Sequence, residues 1–211
     1  MYDILIIDDH AIVAYGLQML LKSTDFTSNI DKAVNGNDAI KQVKNKKYDL
    51  VIMDINMPNT DSLSLLTLML TIKKDLRVLV YSMNPEEIFA KRYLKLGASG
   101  YLCKDASNEE VLKAIVHILV HHKNYFSEDM LQLLYYDRLH NKKDNPFNSL
   151  SEREFEVTMH LLKGESLSEL SQILKLHTST VGTHKARLYE KLDVSNVIEL
   201  SKLAKNYNII L

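Results

Sequence analysis

Two rhythms alternate along the first 123 residues. Short apolar, β-branched runs occupy 2–7, 30–34, 50–53, 77–81 and 99–102. Between them, apolar residues recur at helical spacing over 12–22, 38–46, 62–72, 86–96 and 111–121. Strands alternating with helices in this way predict βαβ units and a parallel sheet. Asn84-Pro85-Glu86-Glu87 and Ser107-Asn108-Glu109-Glu110 read as capping boxes, the first with Pro at the first helical position.

Past residue 121 the alternation stops. Residues 127–140 predict a helix with Met130, Leu131, Leu134 and Tyr135 on one stripe, and the polar run Asn141 to Pro146 predicts a linker. Only helical patterns follow. Ser151 with Glu154 and Ser166 with Glu169 form capping boxes that open helices over 152–162 and 167–174. Thr178, Ser179 and Thr180 offer N-caps for a helix ending at Leu192, and Asn196 caps a last one to about residue 206. The expected architecture is a doubly wound α/β domain over 1–123, a connecting helix and linker over 124–148, and a smaller all-α domain over 149–211.

Composition narrows the class. With 46% hydrophobic and 25% charged residues the chain is globular. Its single cysteine, Cys103, excludes a disulfide framework or a cysteine zinc cage and fits a reducing compartment, so a cytoplasmic location is expected. No apolar run reaches the ~18 residues of a membrane span, and Met1-Tyr2-Asp3-Ile4 lacks the basic flank of a signal peptide. A net charge of −1 leaves nucleic-acid binding to the distribution of charge.

In an open α/β sheet, ligands bind outside the carboxyl ends of the strands. Asp8 and Asp9 follow the first strand, Asp54 the third, Ser82 ends the fourth and Lys104 follows the fifth. Taken singly, each is as well read as a cap or turn residue. Together they place three carboxylates, a hydroxyl and an ammonium on one edge. Clustered carboxylates require a compensating cation, and an oxygen-only donor set favours a hard ion, Mg²⁺ above all. A carboxylate beside such an ion has the chemistry of a nucleophile toward a phosphoryl group, with Lys104 stabilising the oxygens in transfer.

The segments Ile6-Ile7-Asp8-Asp9-His10, Asp54 through Asp61, Val80-Tyr81-Ser82 and Gly97 through Lys104 resemble the signature segments of response-regulator receiver domains, and the run from Asp8 through Gly16-Leu17 to Leu20-Leu21 resembles the NarL/FixJ branch. The resemblance implies a flavodoxin-like five-stranded sheet of order 2-1-3-4-5. It makes Asp54 the phosphoacceptor, and Asp9, Asp54 and the Asn56 backbone carbonyl the Mg²⁺ ligands, with Asp8 acting mainly through water. It gives Lys104 to the phosphoryl group, Ser82 to a phosphoryl oxygen, and Tyr101 to the aromatic ring that moves inward behind Ser82. Two residues depart from the pattern. Ser62 stands where the family usually has Gly, often at positive φ, so a differently shaped loop after Asp61 is expected. Asp105 replaces a Pro that many receivers hold in a cis peptide, and a cis bond is not expected here.

From Ser149 onward eight basic and eight acidic residues cancel, but they are segregated. Five Glu fall in 150–169, whereas Lys175, Lys185, Arg187 and Lys191 face Glu190 alone in 170–191. A cationic helix in a small helical domain is the footprint of phosphate contact or simply a solvated face. A short helix, a tight turn and a Thr/Ser-rich helix start form a helix-turn-helix, whose hydroxyls and N–H groups at Thr178, Ser179 and Thr180 suit phosphate. Leu150 through Val157, Gly164, Glu169-Leu170 and Ser179 through Leu192 resemble the LuxR-type helix-turn-helix. That resemblance implies groove-facing positions at Gly182, Thr183 and Ala186, contacts from Lys185 and Arg187, backbone contact or a buried role for His184, and core roles for Val181 and Leu188. The family often has Lys at the Gly182 position. Modest DNA affinity for the monomer and reliance on dimerisation are therefore expected. The stripe Val197, Leu200, Ser201 and Ala204 serves either a dimer seam or the core.

The expected protein is thus a two-component transcriptional regulator. A sensor histidine kinase phosphorylates Asp54 with Mg²⁺, and a homodimer then binds double-stranded promoter DNA, with no membrane partner. It is no enzyme beyond transfer to, and slow loss from, its own Asp54. A regulator of the same fold switched by a ligand or protein is the alternative, and a protein-interaction module that has lost DNA binding is another.

Overall fold

The computed structural model describes residues 1–24, 27–58, 60–139, 145–174, 176–207 and 209. Asn59, Lys175 and linker residues 141–144 lie outside the described residues. The chain forms two compact units, Met1–His140 and Asn141–Leu211.

The first unit alternates β1 (Tyr2–Ile7), α1 (Ala11–Lys22), β2 (Thr27–Ala33), α2 (Gly36–Asn45), β3 (Leu50–Met53), α3 (Ser62–Ile72), β4 (Arg77–Ser82), α4 (Glu86–Lys95), β5 (Gly100–Cys103) and α5 (Asn108–Val120), and ends with α6 (Glu128–Leu139). The strands pair in parallel in the order β2-β1-β3-β4-β5. Ile4, Ile6, Leu50, Ile52, Leu79 and Leu102 pack in one buried cluster with Ala14, Leu17 and Leu21 of α1 and with Val111, Ala114, Ile115 and Ile118 of α5. The intervening Leu5, Ile7, Val51, Met53, Val78 and Val80 are fully buried and point to the opposite face. Strands buried on both faces explain why they read as unbroken apolar runs. β2 begins at Thr27, ahead of the expected residue 30, because its polar start pairs through the backbone and Asn29 donates to Asp3.

Several helix starts differ from expectation. Asn84 does not cap α4: the N-cap is Pro85, with no side-chain cap, and the Asn84 amide pairs with Asn56 instead. Ser107 caps α5, but Glu110 turns away to accept from the Tyr125 hydroxyl. Ser62 carries no left-handed strain. It is the first residue of α3 behind the N-cap Asp61, fully buried, with its hydroxyl donating to the Ile55 carbonyl. The described residues contain no cis peptide. Of the α6 stripe, Met130 is buried while Leu131 and Tyr135 are exposed.

The second unit opens on a 3₁₀ turn, Pro146–Ser149, which the sequence pattern did not show. Asn145 caps it, and Phe147 is seated edge-on against Phe155 and Tyr207. Then follow α7 (Glu152–Leu162), α8 (Leu167–Ile173), α9 (Thr178–Leu192) and α10 (Val197–Asn206). Both predicted capping boxes, at Ser151 and Ser166, are present. Val181 and Leu188 are fully buried, as expected, and α9 packs on both α7 and α8. Thr178, Ser179 and Thr180 do not cap α9. His177 is the N-cap, without a side-chain bond, and the three hydroxyl residues form the exposed first turn.

Candidate functional site

In-register pairing of Ile7 with Met53, Met53 with Val80, and Ser82 with Cys103 aligns the carboxyl ends of four strands. The backbone continues the ladder one step further. Asp54 N–H donates to the Ile7 carbonyl at 2.8 Å, and Lys104 N–H to the Ser82 carbonyl at 2.7 Å. This brings Asp8, Asp9, Asp54, Ser82 and Lys104 to a single edge. The Lys104 ammonium lies between two buried carboxylates, 2.7 Å from Asp8 Oδ2 and 2.9 Å from Asp54 Oδ2. Its own burial is the strongest single influence and opposes the charge. The hydrogen bonds and fields of Asp8 and Asp54 together outweigh that and hold its pKa above the ordinary lysine value.

The remaining oxygens are less satisfied. Asp8 Oδ1 accepts from His10 N–H at 2.7 Å, and Asp54 Oδ1 accepts from Asn56 N–H at 3.2 Å. Asp9 does not cap α1, whose N-cap is His10 without a side-chain bond. Asp9 Oδ1 is buried without a hydrogen bond, although the His10 ring nitrogen stands 3.1 Å away. Ligand atoms of Asp8, Asp9, His10 and Asp54 all lie within 4.8 Å of one another. Three carboxylates facing one ammonium, one of them with an orphaned oxygen, fit a hard divalent cation. His10 joins this cluster, a role its place in the sequence motif had not assigned.

Ser82 is fully buried, and its Oγ accepts from Asn84 N–H at 3.1 Å. The Tyr101 ring is already buried, packed 6.1 Å from the Tyr93 ring, and its hydroxyl donates to the Asn84 carbonyl at 3.0 Å. The Asn84 side chain exchanges two hydrogen bonds with Asn56, two residues beyond Asp54. One loop residue thus touches Ser82, Tyr101 and Asn56. The sequence reading missed it by taking Asn84 for a helix cap; its position two residues past Ser82 was the only available signal.

In the second unit, α9 carries three of the four predicted cationic residues, Lys185, Arg187 and Lys191, and one of them is engaged within the fold. Lys191 donates to the buried Glu154 at 2.6 Å, tying α9 to α7. Arg187 is exposed, and the Lys185 ammonium lies 5.3 Å from the Tyr189 ring. Thr183 and Ala186 are exposed, and a Cβ built on Gly182 would meet no atom within 4 Å. His184 is half-buried, with its Nδ1 unpartnered, and burial is the chief cause that lowers its pKa below the ordinary histidine value. Of the α10 stripe, Leu200 and Ala204 are core and Val197 is exposed.

Burial, the largest influence on Glu154, raises its pKa, but hydrogen bonds from Lys191 and Ser151 reverse this and leave it depressed. A depressed carboxyl contributes stability that is present above its unfolded value and lost as pH falls through the folded one. Melting of the full chain is expected to show the second unit weakening below about pH 4.5. Glu154→Gln removes most of that acid dependence and costs about 2 kcal/mol at neutral pH; an unchanged acid profile would refute this account.

A buried lysine between aspartates at the carboxyl edge of a 2-1-3-4-5 sheet in one unit, and a helix-turn-helix in the other, define the two-domain layout of a receiver-type regulator. Comparison with known families agrees. Residues 4–116 match the response regulator receiver domain, and residues 148–204 match the bacterial regulatory proteins of the luxR family. The chain belongs to the response regulators, in the NarL/FixJ group, and is a two-component response regulator with a DNA-binding domain that regulates transcription.

It is 30% identical to response regulator GacA of Pseudomonas aeruginosa over 211 residues, covering 100% of this chain and 98% of GacA. It is 29% identical to response regulator UvrY of Escherichia coli K12 over 210 residues, covering 99% and 96%. Among solved structures, response regulator ChrA of a heme-sensing two-component system aligns at 28% identity with a TM-score of 0.51, covering 99% and 98%. RcsB from Salmonella enterica serovar Typhimurium, bound to promoter rprA in the presence of phosphomimetic BeF3-, aligns at 21% identity with a TM-score of 0.62, covering 96% and 97%; this likeness is one of fold. No helix among the described residues is long and apolar enough to cross a membrane.

Proposed function

We propose that this regulator stores its signal as a phosphoryl group on Asp54, and that residues 1–123 act as receiver, 124–148 as connector and 149–211 as DNA-binding domain. The observation that carries the reading is Lys104 held between Asp8 and Asp54 beside the unsatisfied oxygen of Asp9. Asp8, Asp9, Asp54 and the Asn56 carbonyl would hold Mg²⁺, which when bound offsets the negative charge of the carboxylates and of an incoming phosphate. A carboxylate oxygen of Asp54 forms the new bond to phosphorus. The bond to the kinase's histidine nitrogen breaks, and that nitrogen keeps the electron pair and takes up a proton. Lys104 moves its hydrogen bond from the Asp54 carboxylate to a phosphoryl oxygen. Ser82 turns to donate to another, and the buried Tyr101 ring packs behind it.

The output lies on α9. Thr178, Ser179 and Thr180 present hydroxyls, and the first N–H groups of the helix, to DNA phosphates, and Lys185 and Arg187 add charge. Gly182, Thr183 and Ala186 face the major groove, with His184 behind them. Two of those three groove positions carry no hydrogen-bonding side chain, so the active species is a homodimer on double-stranded promoter DNA, in the cytoplasm, answering to a sensor histidine kinase. Val197 remains at the surface for a seam.

The test is intact mass of the full chain after acetyl phosphate and Mg²⁺. One added phosphoryl group is expected. It should be absent in Asp54→Ala and absent when the metal is chelated. A chain that gains no mass, or gains it equally in Asp54→Ala, would instead be a regulator switched by a ligand or protein.

A further inference from the structure

Three of the chain's eight histidines, His117, His121 and His122, stand within six residues at the end of α5. His117 lies in the last turn of the helix, and His121 is its C-cap. Four residues apart, they share one helix face. Their rings meet edge to face, with centroids 5.5 Å apart and planes at 66°. Two imidazoles on one tetrahedral ion, each bound through a nitrogen ~2.0–2.1 Å from it, have ring centres about 5 Å apart. The pair already stands near the separation that a shared ion imposes. Two histidines at this spacing on one helix face are an established way to hold zinc.

The surroundings suit a cation. Among the described residues neither imidazole takes part in a hydrogen bond. His121 is exposed and His117 half-buried, so the pair is open to solvent. The last carbonyls of α5 put the negative end of the helix dipole at this turn. Lys113 and Lys123, the cations nearest in sequence, are both exposed and screened by water. On its other side His117 meets the Tyr125 ring, with centroids 6.1 Å apart. Tyr125 is fixed in turn. It is buried, its N–H donates to the Ser99 carbonyl at 2.8 Å, and its hydroxyl reaches Glu110. It also bridges to Gly100, where a Cβ would stand 3.2 Å from the Tyr125 carbonyl oxygen. Gly100 begins β5, so the histidine pair stands at the opposite edge of the sheet from Asp54. Among the described residues no third carboxylate, thiol or imidazole forms a cluster with the pair. The remaining positions on an ion there go to water, as in an open site. His122, at φ 55°, has left the helical path.

We propose that His117 and His121 form a site for a divalent transition ion of the zinc class, separate from the acidic pocket around Asp54. Nitrogen donors select such ions and leave Mg²⁺ to the carboxylates. The ion cross-links positions one turn apart and so holds the last turn of α5 closed. Through the ring of His117 it also stiffens Tyr125, the anchor from which the connecting helix departs.

Calorimetric titration of the tag-free full chain with Zn²⁺, in buffer already holding Mg²⁺, tests this, with hydrogen–deuterium exchange of 117–126 read alongside. His121→Ala, a change at an exposed position, and His117→Ala should each weaken Zn²⁺ uptake roughly tenfold or more, since each leaves a single imidazole. His117→Gln keeps a polar side chain in the half-buried position and should match His117→Ala. His122→Ala should bind as the unaltered chain does. Zn²⁺ should slow exchange in the unaltered chain and in His122→Ala, but not in His121→Ala. No uptake by the unaltered chain, or equal uptake by His121→Ala, would overturn the site. Uptake lost in His10→Ala yet kept in His121→Ala would put the ion in the acidic pocket and overturn it equally. Exchange slowed by Zn²⁺ in His121→Ala as in the unaltered chain would overturn the stiffening of the anchor.

Discussion

Replacing Lys104 by Met is expected to lower the stability of the first unit by about 3 kcal/mol in magnesium-free buffer, a fall in melting temperature on the order of 10 °C. The side chain is 7% exposed, and its partners Asp8 and Asp54 are 3% and 2% exposed. Removing it leaves two buried carboxylates facing each other and Asp9 with no cation among them. Because the ammonium pKa is raised, its contribution is fully present below the unfolded value near 10.5 and is lost only as pH rises above that. The effect therefore persists across the neutral range. Magnesium should restore much of the loss, so the shift in melting temperature on adding the ion is larger in Lys104→Met than in the unaltered chain, although phosphoryl uptake falls. Asp54→Ala should behave oppositely, tolerating metal-free buffer well because one repelling group is gone. If Lys104→Met melts where the unaltered chain does and magnesium moves both equally, the electrostatic account of the pocket fails.

The second large effect is on DNA. Changing Lys185 and Arg187 together to Ala is expected to weaken binding of the full, acetyl-phosphate-treated chain to duplex DNA by at least roughly 100-fold, and to reduce the slope of log affinity against log salt by about two per protomer, about four for the dimer. Salt-titrated fluorescence anisotropy measures both. Lys191→Ala offers the contrast. Its ammonium is engaged with Glu154, so its loss should lower stability more than it changes the salt slope. An unchanged slope in the Lys185/Arg187 variant would mean that α9 is not the phosphate-contacting face, and the protein-interaction reading of the second unit would gain.

Most of the first unit's strands and helices were legible because β1, β3, β4 and β5 are largely buried on both faces and the helices on one, whereas β2, half-exposed, reads short. Burial of that kind writes a clear period into the sequence. The positions of Asp8, Asp54, Ser82 and Lys104 followed, because a residue just past a parallel strand has only one edge to occupy. What remained hidden depended on which partner a polar side chain chooses. Asn84 had the spacing of a cap, yet its amide found Asn56 across the pocket, 28 residues away. Lys191 looked like surface charge until the fold brought it to Glu154, 37 residues earlier. Ser62 looked strained because a Gly often fills that site, but the chain starts α3 there and the hydroxyl finds the Ile55 carbonyl. Hydroxyls at 178–180 read as caps, whereas the turn before them delivers His177 to that place.

Gly182 has a consequence for how such a protein diversifies. Nothing crowds the missing side chain, and a helix-interior Gly forfeits up to ~1 kcal/mol against Ala. Replacement by Ala gains helix stability, and its methyl group meets no neighbour. On the proposed reading a side chain there also adds a new group toward a base pair, so the operators open to this regulator can change at a position where the first added carbon meets no packed neighbour.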